Sequence, residues 1–224
     1  MIRNIIHKKV DIYKDFIFDK KNIDLQGWGS DHPIILWAIE KLKPSLIIEV
    51  GSWKGRSAIK MAMKIKKLKL NSKILCIDTW LGSTEHWLGK KEYWDSLQVK
   101  HGRPNIYNTF LTNVIAFKCQ KYIMPFSISS EAAFFILKKK GIKSSMIYID
   151  AGHEYETVTK DLKMYWQLLK NNGVMIIDDY LRWNEVTKAV NNFCKEYNLT
   201  LHGENSKAVI SKNSKIKIPM KKIF

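Results

Sequence analysis

Cysteine is scarce in this chain and poorly placed for chemistry. Cys76, Cys119 and Cys194 are odd in number, far apart and in no C-x-x-C arrangement. That argues against a disulfide framework or a zinc site and fits incidental or buried thiols in a reducing compartment. No apolar run approaches the roughly 20 residues that cross a bilayer. The N-terminus, Met1-Ile2-Arg3-Asn4-Ile5-Ile6-His7-Lys8-Lys9, lacks a signal peptide's apolar core and small-residue cleavage site. A cytoplasmic location with no membrane partner is the resulting expectation. Arginine is scarce too: the net charge of +17 comes almost wholly from lysine spread along the chain. Phosphate and base recognition lean on arginine's planar fork, so nucleic acid is not the favoured partner. The densest runs, Lys64–Lys69 and Lys138–Lys140, fall where helix C-termini are expected and where cations complement the helix dipole. A solvated lysine surface and an attraction to an acidic substrate both remain open.

With 224 residues and 46% hydrophobic content, the chain suits one sizeable α/β domain. Its central stretch is Leu46–Met63. Leu46-Ile47-Ile48-Glu49-Val50 has the apolar, β-branched character of a buried strand. Ala58–Met63 reads as a helix with Ile59, Ala62 and Met63 on one face. Between them, Gly51-Ser52-Trp53-Lys54-Gly55-Arg56-Ser57 brings a flexible backbone to the unpaired N–H groups of a helix start. The spacing Gly51-x-x-x-Gly55 is not the G-x-G-x-x-G of a dinucleotide site. Glu49, two residues ahead, would repel a pyrophosphate but suits an amino group and a sulfonium, which S-adenosylmethionine (SAM) carries. An ordinary strand-to-helix turn is the plainer alternative.

Residues 1–25 are expected to form a helical arm. Gln26-Gly27-Trp28-Gly29-Ser30 reads as a turn, with Ser30 or Asp31 capping a helix that opens near Pro33. Lys73-Ile74-Leu75-Cys76-Ile77-Asp78 is a second strand, and Asp78 at its end either meets a ribose or caps a turn through Thr79. Residues 79–117 form an aromatic insertion, a lid or substrate wall, in which Trp80, Trp87 and Trp94 recur every seven residues as one hydrophobic stripe and Ile106–Phe117 is helical. Lys121–Phe126 is an edge-like strand because Pro125 cannot donate to a ladder. Ser127, Ser129 and Ser130 then meet an adenine or cap the following helix.

Ser145-Met146-Ile147-Tyr148-Ile149-Asp150 and Val174-Met175-Ile176-Ile177 are two further strands, joined by a helix that Asn171-Asn172-Gly173 ends. A right-handed crossover puts their carboxyl ends side by side, so Asp150 meets Asp178 and Asp179. Three carboxylates at one spot suit a hard divalent cation such as magnesium, or serve as two caps and a solvated acid. His153 follows at a helix entry as a candidate base, or as a capping or surface residue.

The segments Glu49–Ser57, Ile77–Trp80, Tyr148–Tyr155 and Gly173–Tyr180, in this order, resemble class I SAM-dependent methyltransferases, and within them the macrocin O-methyltransferase-like group with its metal-dependent sugar O-methyltransferases. The resemblance spans residues 26 to 200. It implies a Rossmann-like, doubly wound α/β sheet of seven strands, mostly parallel with the last antiparallel, and helices on both faces. Leu199–Leu201 and Ala208–Ile210 would be its closing hairpin. It implies one domain over 26–212, flanked by the arm and by a basic tail over 213–224. Glu49, Gly51, Ser52, Gly55 and Ser57 would line the methionine side of SAM and Asp78 its ribose, with Thr79, Trp80 and Ser129 counted among the cofactor-binding residues. Asp150, Asp178 and Asp179 would hold the metal, and His153, with Asp150, would carry the chemistry. The implied reaction is methyl transfer to a hydroxyl of a small molecule or sugar, and a homodimer is the implied assembly. A metal-independent or nucleic-acid-directed methyltransferase, or a non-enzymatic Rossmann-like binding module, are the alternatives.

Overall fold

A computed structural model describes residues 2–27 and 31–224. In chain order it contains α1 (Ile2–His7), α2 (Pro33–Leu42), β1 (Leu46–Val50), α3 (Arg56–Lys67), β2 (Lys73–Asp78), α4 (Thr84–Leu88), α5 (Lys91–Ser96), α6 (Ile106–Ala116), β3 (Ile123–Ser127), α7 (Ser130–Lys139), β4 (Ser144–Ile149), α8 (Tyr155–Leu168), β5 (Leu169–Ile177), α9 (Asn184–Glu196), β6 (His202–Glu204) and β7 (Lys207–Ser211). The seven strands form one sheet in the order β3-β2-β1-β4-β5-β7-β6. The first five in sequence run parallel, while β7 is antiparallel to both β5 and β6. This is the Rossmann-like doubly wound sheet that the motif order implies.

Side-chain alternation along each strand builds two cores. Ile48, Val50, Leu75, Ile77, Ile147, Ile149, Met175 and Ile177 point to the face covered by α7, α8 and α9. Ile47, Ile74, Cys76, Met146, Tyr148, Val174 and Ile176 point to the face covered by α2, α3 and α6. Both faces are buried, which is why these strands read as unbroken apolar runs. Because β1 pairs with β2 on one side and β4 on the other, the connections leave in opposite directions and a crevice opens between their carboxyl ends. Strand β3 lies at the edge, where Pro125 is tolerated.

Several local expectations shift. His32 caps α2, its Nδ1 accepting from Ile34 N at 3.2 Å; Ser30 lies outside the described residues, and Asp31 pairs with Arg56 and Lys60 instead. Helix α8 stops at Leu168, and Leu169 already pairs with Ser144, so Asn171-Asn172-Gly173 lies in a bulged part of β5 and does not end the helix. Gly173 is needed there for room, since a Cβ would lie 2.7 Å from Leu169 Cδ1 and 2.9 Å from Ser145 O. The closing hairpin uses His202–Glu204, three residues beyond the expected strand. Its turn residues Asn205 and Ser206 both have positive φ, the twist-matched type of two-residue turn. Leu201 pairs instead with the chain end: Ile223 N donates to Leu201 O at 2.8 Å and Leu201 N to Phe224 O at 3.0 Å. The basic tail thereby covers the open edge of β6, as exposed edges require. Trp80 is buried, but Trp87 and Trp94 are 45% and 46% exposed, so the three do not form one stripe. Among the described residues no helix is long and apolar enough to cross a membrane.

Candidate active site

The β1–α3 loop is pinned from behind. Glu49 is fully buried, and its two carboxylate oxygens accept from Ser52 Oγ and Ser57 Oγ, each at 2.6 Å. Burial pushes its pKa up, and the two hydroxyls pull it back. Gly51 takes φ +84° and passes so close to β4 that no side chain fits there. Asp78, at the tip of β2, holds the loop from the other side: its Oδ2 accepts from Ser52 N and Trp53 N, each at 2.8 Å, and its Oδ1 from Trp80 N at 2.7 Å. Burial raises the Asp78 pKa against these three backbone donors.

In front of this loop lies a cavity of about 430 Å³ at the carboxyl rim of the sheet. Gly51, Ser52, Ser57, Asp78, Thr79, Ser129, Asp150, His153 and Asp179 all line it. Glu49, Gly55, Trp80 and Asp178 do not line it. Glu49 sits behind the two serines, and Gly55 starts α3 at φ +83° against the Phe110 ring. Trp80 is turned into the core, its Nε1 donating to Trp53 O at 2.8 Å. Ser129 combines the two roles that its position left open, since it lines the cavity and caps α7 through Ala132 N at 3.3 Å. From the insertion, Gly82, Thr84, Glu85, His86 and Tyr93 wall the cavity.

Asp161 also lines the cavity, in contact with Ser130. It is buried, which pushes its pKa from 3.8 up to about 6, only partly offset by Ser130 and Lys160. A carboxyl whose folded pKa is raised contributes stability that is complete below its unfolded pKa and is lost as the pH rises towards the folded value. Asp161→Asn is therefore expected to stabilise the protein at pH 7.5, by up to about 3 kcal/mol. The gain should shrink as pH falls towards 4. Urea denaturation of both forms across this range checks the sign.

The second cluster assembles as the parallel crossover dictates. Oxygens of Asp150, Asp178 and Asp179 come within 4.8 Å of one another. Burial first, then the charges of Asp178 and Asp179, push the Asp150 pKa well up. The Tyr148 hydroxyl lies between Asp150 Oδ2, at 3.1 Å, and the closer Asp178 Oδ2. Asp178 is buried behind the other two, where Lys207 and the Asp179 N–H both donate to its Oδ1. The donor set, all hard oxygens, fits a divalent cation, with Asp150 and Asp179 open to the cavity.

His153 bridges the two halves of the site. Its Nδ1 lies 2.8 Å from Glu85 Oε1, its Nε2 lies 3.0 Å from Asp179 Oδ2, and its ring stacks on Trp183 at 4.4 Å. Burial pulls the imidazole pKa down, but Asp179 and Glu85 outweigh it and the net shift is upward. Glu85 is itself oriented by Ser83 Oγ at 2.6 Å. Glu85, Tyr148, Trp183 and Lys207 were not singled out from sequence. A pairing across 68 positions, such as Glu85 with His153, leaves no local spacing signal.

A sequence model described as a methyltransferase domain matches residues 48–180, more than half of the chain. No curated protein matches. Among solved structures, the calicheamicin methyltransferase CalS11 is 17% identical, with 79% of this chain and 77% of that chain covered and a TM-score of 0.57. The O-methyltransferase NovP is 14% identical over 80% and 77% of the two chains, with a TM-score of 0.56. TomG from Streptomyces achromogenes, solved with SAM, is 11% identical over 91% and 96%, with a TM-score of 0.57. These structures share the fold, and the match over the loop and both acidic strand ends decides the family: the chain belongs to the class I SAM-dependent methyltransferases.

Proposed function

We propose that the enzyme transfers the methyl group of SAM to a hydroxyl of a small molecule or sugar, as in the macrocin O-methyltransferase-like group. One observation carries this reading: His153, a proton acceptor, opens into the same cavity as the glycine loop and Asp78. In this reading the methionine part of SAM lies on Gly51, Ser52 and Ser57, with Glu49 fixing both serines from behind. Asp78 and Thr79 take the ribose, and the adenine reaches towards Ser129. The acceptor sits under the wall of Thr84, His86 and Tyr93. CalS11 is by its name a TDP-rhamnose 3'-O-methyltransferase, which favours a sugar acceptor for this fold.

The S–CH3 bond breaks with its electron pair going to sulfur, which leaves S-adenosylhomocysteine. The acceptor oxygen forms the new O–CH3 bond, and its proton passes to Nε2 of neutral His153. Glu85 holds the ring through Nδ1, and Nε2, which meets Asp179 Oδ2 at 3.0 Å, is the nitrogen that would take the proton once the acceptor hydroxyl displaces that carboxylate from it. A divalent cation on Asp150 and Asp179, magnesium in the first instance, would supply positive charge that favours the alkoxide.

The test is mass spectrometry of SAM incubated with the enzyme and a panel of sugars, nucleotide sugars, phenols and amines. A methyl ether on a hydroxyl acceptor is expected. Methylation of amines alone would overturn the reading. For the cation, a chelator is expected to lower turnover while SAM affinity stays unchanged in calorimetry. Full turnover in metal-free buffer would remove the cation and leave the transferase.

A further inference from the structure

Asp178 is already neutralised by a cation that belongs to the chain. Ile177 of β5 stands opposite Ala208 of β7 in the antiparallel ladder, which brings Asp178 across from Lys207. Lys207 is fully buried, and among the described residues its only ion pair is with Asp178 Oδ1. An ammonium without water and without a partner is costly, so this pair holds itself together strongly once formed. A carboxylate offers roughly four acceptor positions. On Asp178 one oxygen takes Lys207 and the Asp179 N–H, and the other takes the Tyr148 hydroxyl. Roughly one of the four positions remains, and Asp178 does not line the cavity from which an ion would come.

We propose that Lys207 is a built-in counter-cation of the acidic cluster: it occupies Asp178, leaves an incoming divalent ion only Asp150 and Asp179, and so weakens that ion's binding. The affinity of oxygen-ligand sites follows the number of carboxylate charges they present. Here a buried positive charge subtracts one of three. Lys207 is thus a positioning residue that acts through Asp178, on the reading that the cluster is a cation site.

The experiment is a Mn2+ titration of the full chain, with free Mn2+ followed by electron paramagnetic resonance, for the native sequence and for Lys207→Met. Methionine keeps much of the volume and removes the charge, so the variant is expected to bind Mn2+ at least about tenfold more tightly. Unchanged or weaker binding overturns the proposal. Lys207→Met leaves a buried carboxylate unpaired, so a double variant with Asp178→Asn covers the case in which the single variant does not fold. The double variant restores the original net charge and should bind Mn2+ as the native chain does, whereas a loss of tenfold or more means Asp178 was a ligand all along and overturns the proposal. The two readings also fail separately. Equal, tight binding by all three forms keeps the cation site and removes the role of Lys207. Binding by Lys207→Met alone supports that role and takes the cation away from the native enzyme. No binding by any form removes both.

Discussion

Alanine at His153 is expected to lower kcat by about 10²–10⁴-fold, the range that a general base supplies, while SAM affinity changes little. The histidine touches the acidic cluster and Glu85, not the glycine loop, so its loss should leave the cofactor's seat intact. The pH profile carries a second, more specific expectation. With carboxylates beside both nitrogens and no cation on Asp179 the imidazolium is favoured, and a base must first be neutral. Its pKa is raised, so kcat/KM should climb with pH and level off only above the ordinary histidine value of 6.5. Glu85→Gln removes one of the two anions. The rising limb should then move to lower pH, with a lower plateau because the weaker base is also less well oriented. His153→Ala retaining activity within about threefold of native, well short of the effect of a general base, would remove the base from the mechanism. An unmoved limb in Glu85→Gln would remove the contact with Glu85 from it.

The parts of this site that could be read in advance share one property: they lie at the ends of strands. Glu49, Asp78, Asp150 and Asp178 each close or follow an apolar run, and a parallel sheet lines up such ends by topology alone. The glycine loop is legible for the same reason, because strand and helix patterns on either side leave only Gly51–Gly55 to turn the chain. The residues that escaped notice depend on side chains meeting over long distances. Lys207 read as one lysine among many, and only the antiparallel register turns it inward against Asp178.

The misplaced elements tell the same story from the other side. A seven-residue recurrence of tryptophan suggested a stripe, but α4 ends at Leu88 with Gly89 as its cap and a new helix starts at Lys91, so the helical phase is lost between Trp87 and Trp94. Leu199–Leu201 has the composition of a strand, yet the chain end competes for Leu201 through Ile223 and Phe224. Local pattern cannot anticipate a partner that lies beyond the intervening hairpin and is mostly lysine-flanked. Glu49 shows a subtler limit. Its place before the glycines suggested direct contact with SAM, whereas burial and the two serines make it the anchor of the loop's shape.

Gly51→Ala should damage both the fold and cofactor binding. An alanine Cβ there would lie 1.8 Å from the Asp150 carbonyl oxygen and 2.8 Å from Ala151 Cα, which are backbone atoms of the neighbouring strand end. Relief requires the tips of β1 and β4 to part, which breaks Gly51 N to Ile77 O at 2.9 Å or Asp150 N to Val50 O at 2.8 Å. Either movement displaces the loop amides on one side of the cavity and Asp150 on the other. The expected result is a lowered melting temperature and a loss of SAM affinity of at least about 100-fold, close to 3 kcal/mol. Gly55→Ala is the fitting comparison. Its φ is nearly the same, +83° against +84°, so both variants carry the same left-handed strain of about 1–2 kcal/mol. The Cβ at position 55, however, meets the Phe110 ring at 2.9 Å, and a side chain can give way where a strand backbone cannot. A much larger affinity loss for Gly51→Ala than for Gly55→Ala therefore isolates the close approach of the two strands from the conformational strain. Comparable losses would mean that strain alone governs the loop, and native SAM affinity in Gly51→Ala would mean that the cofactor does not sit against it.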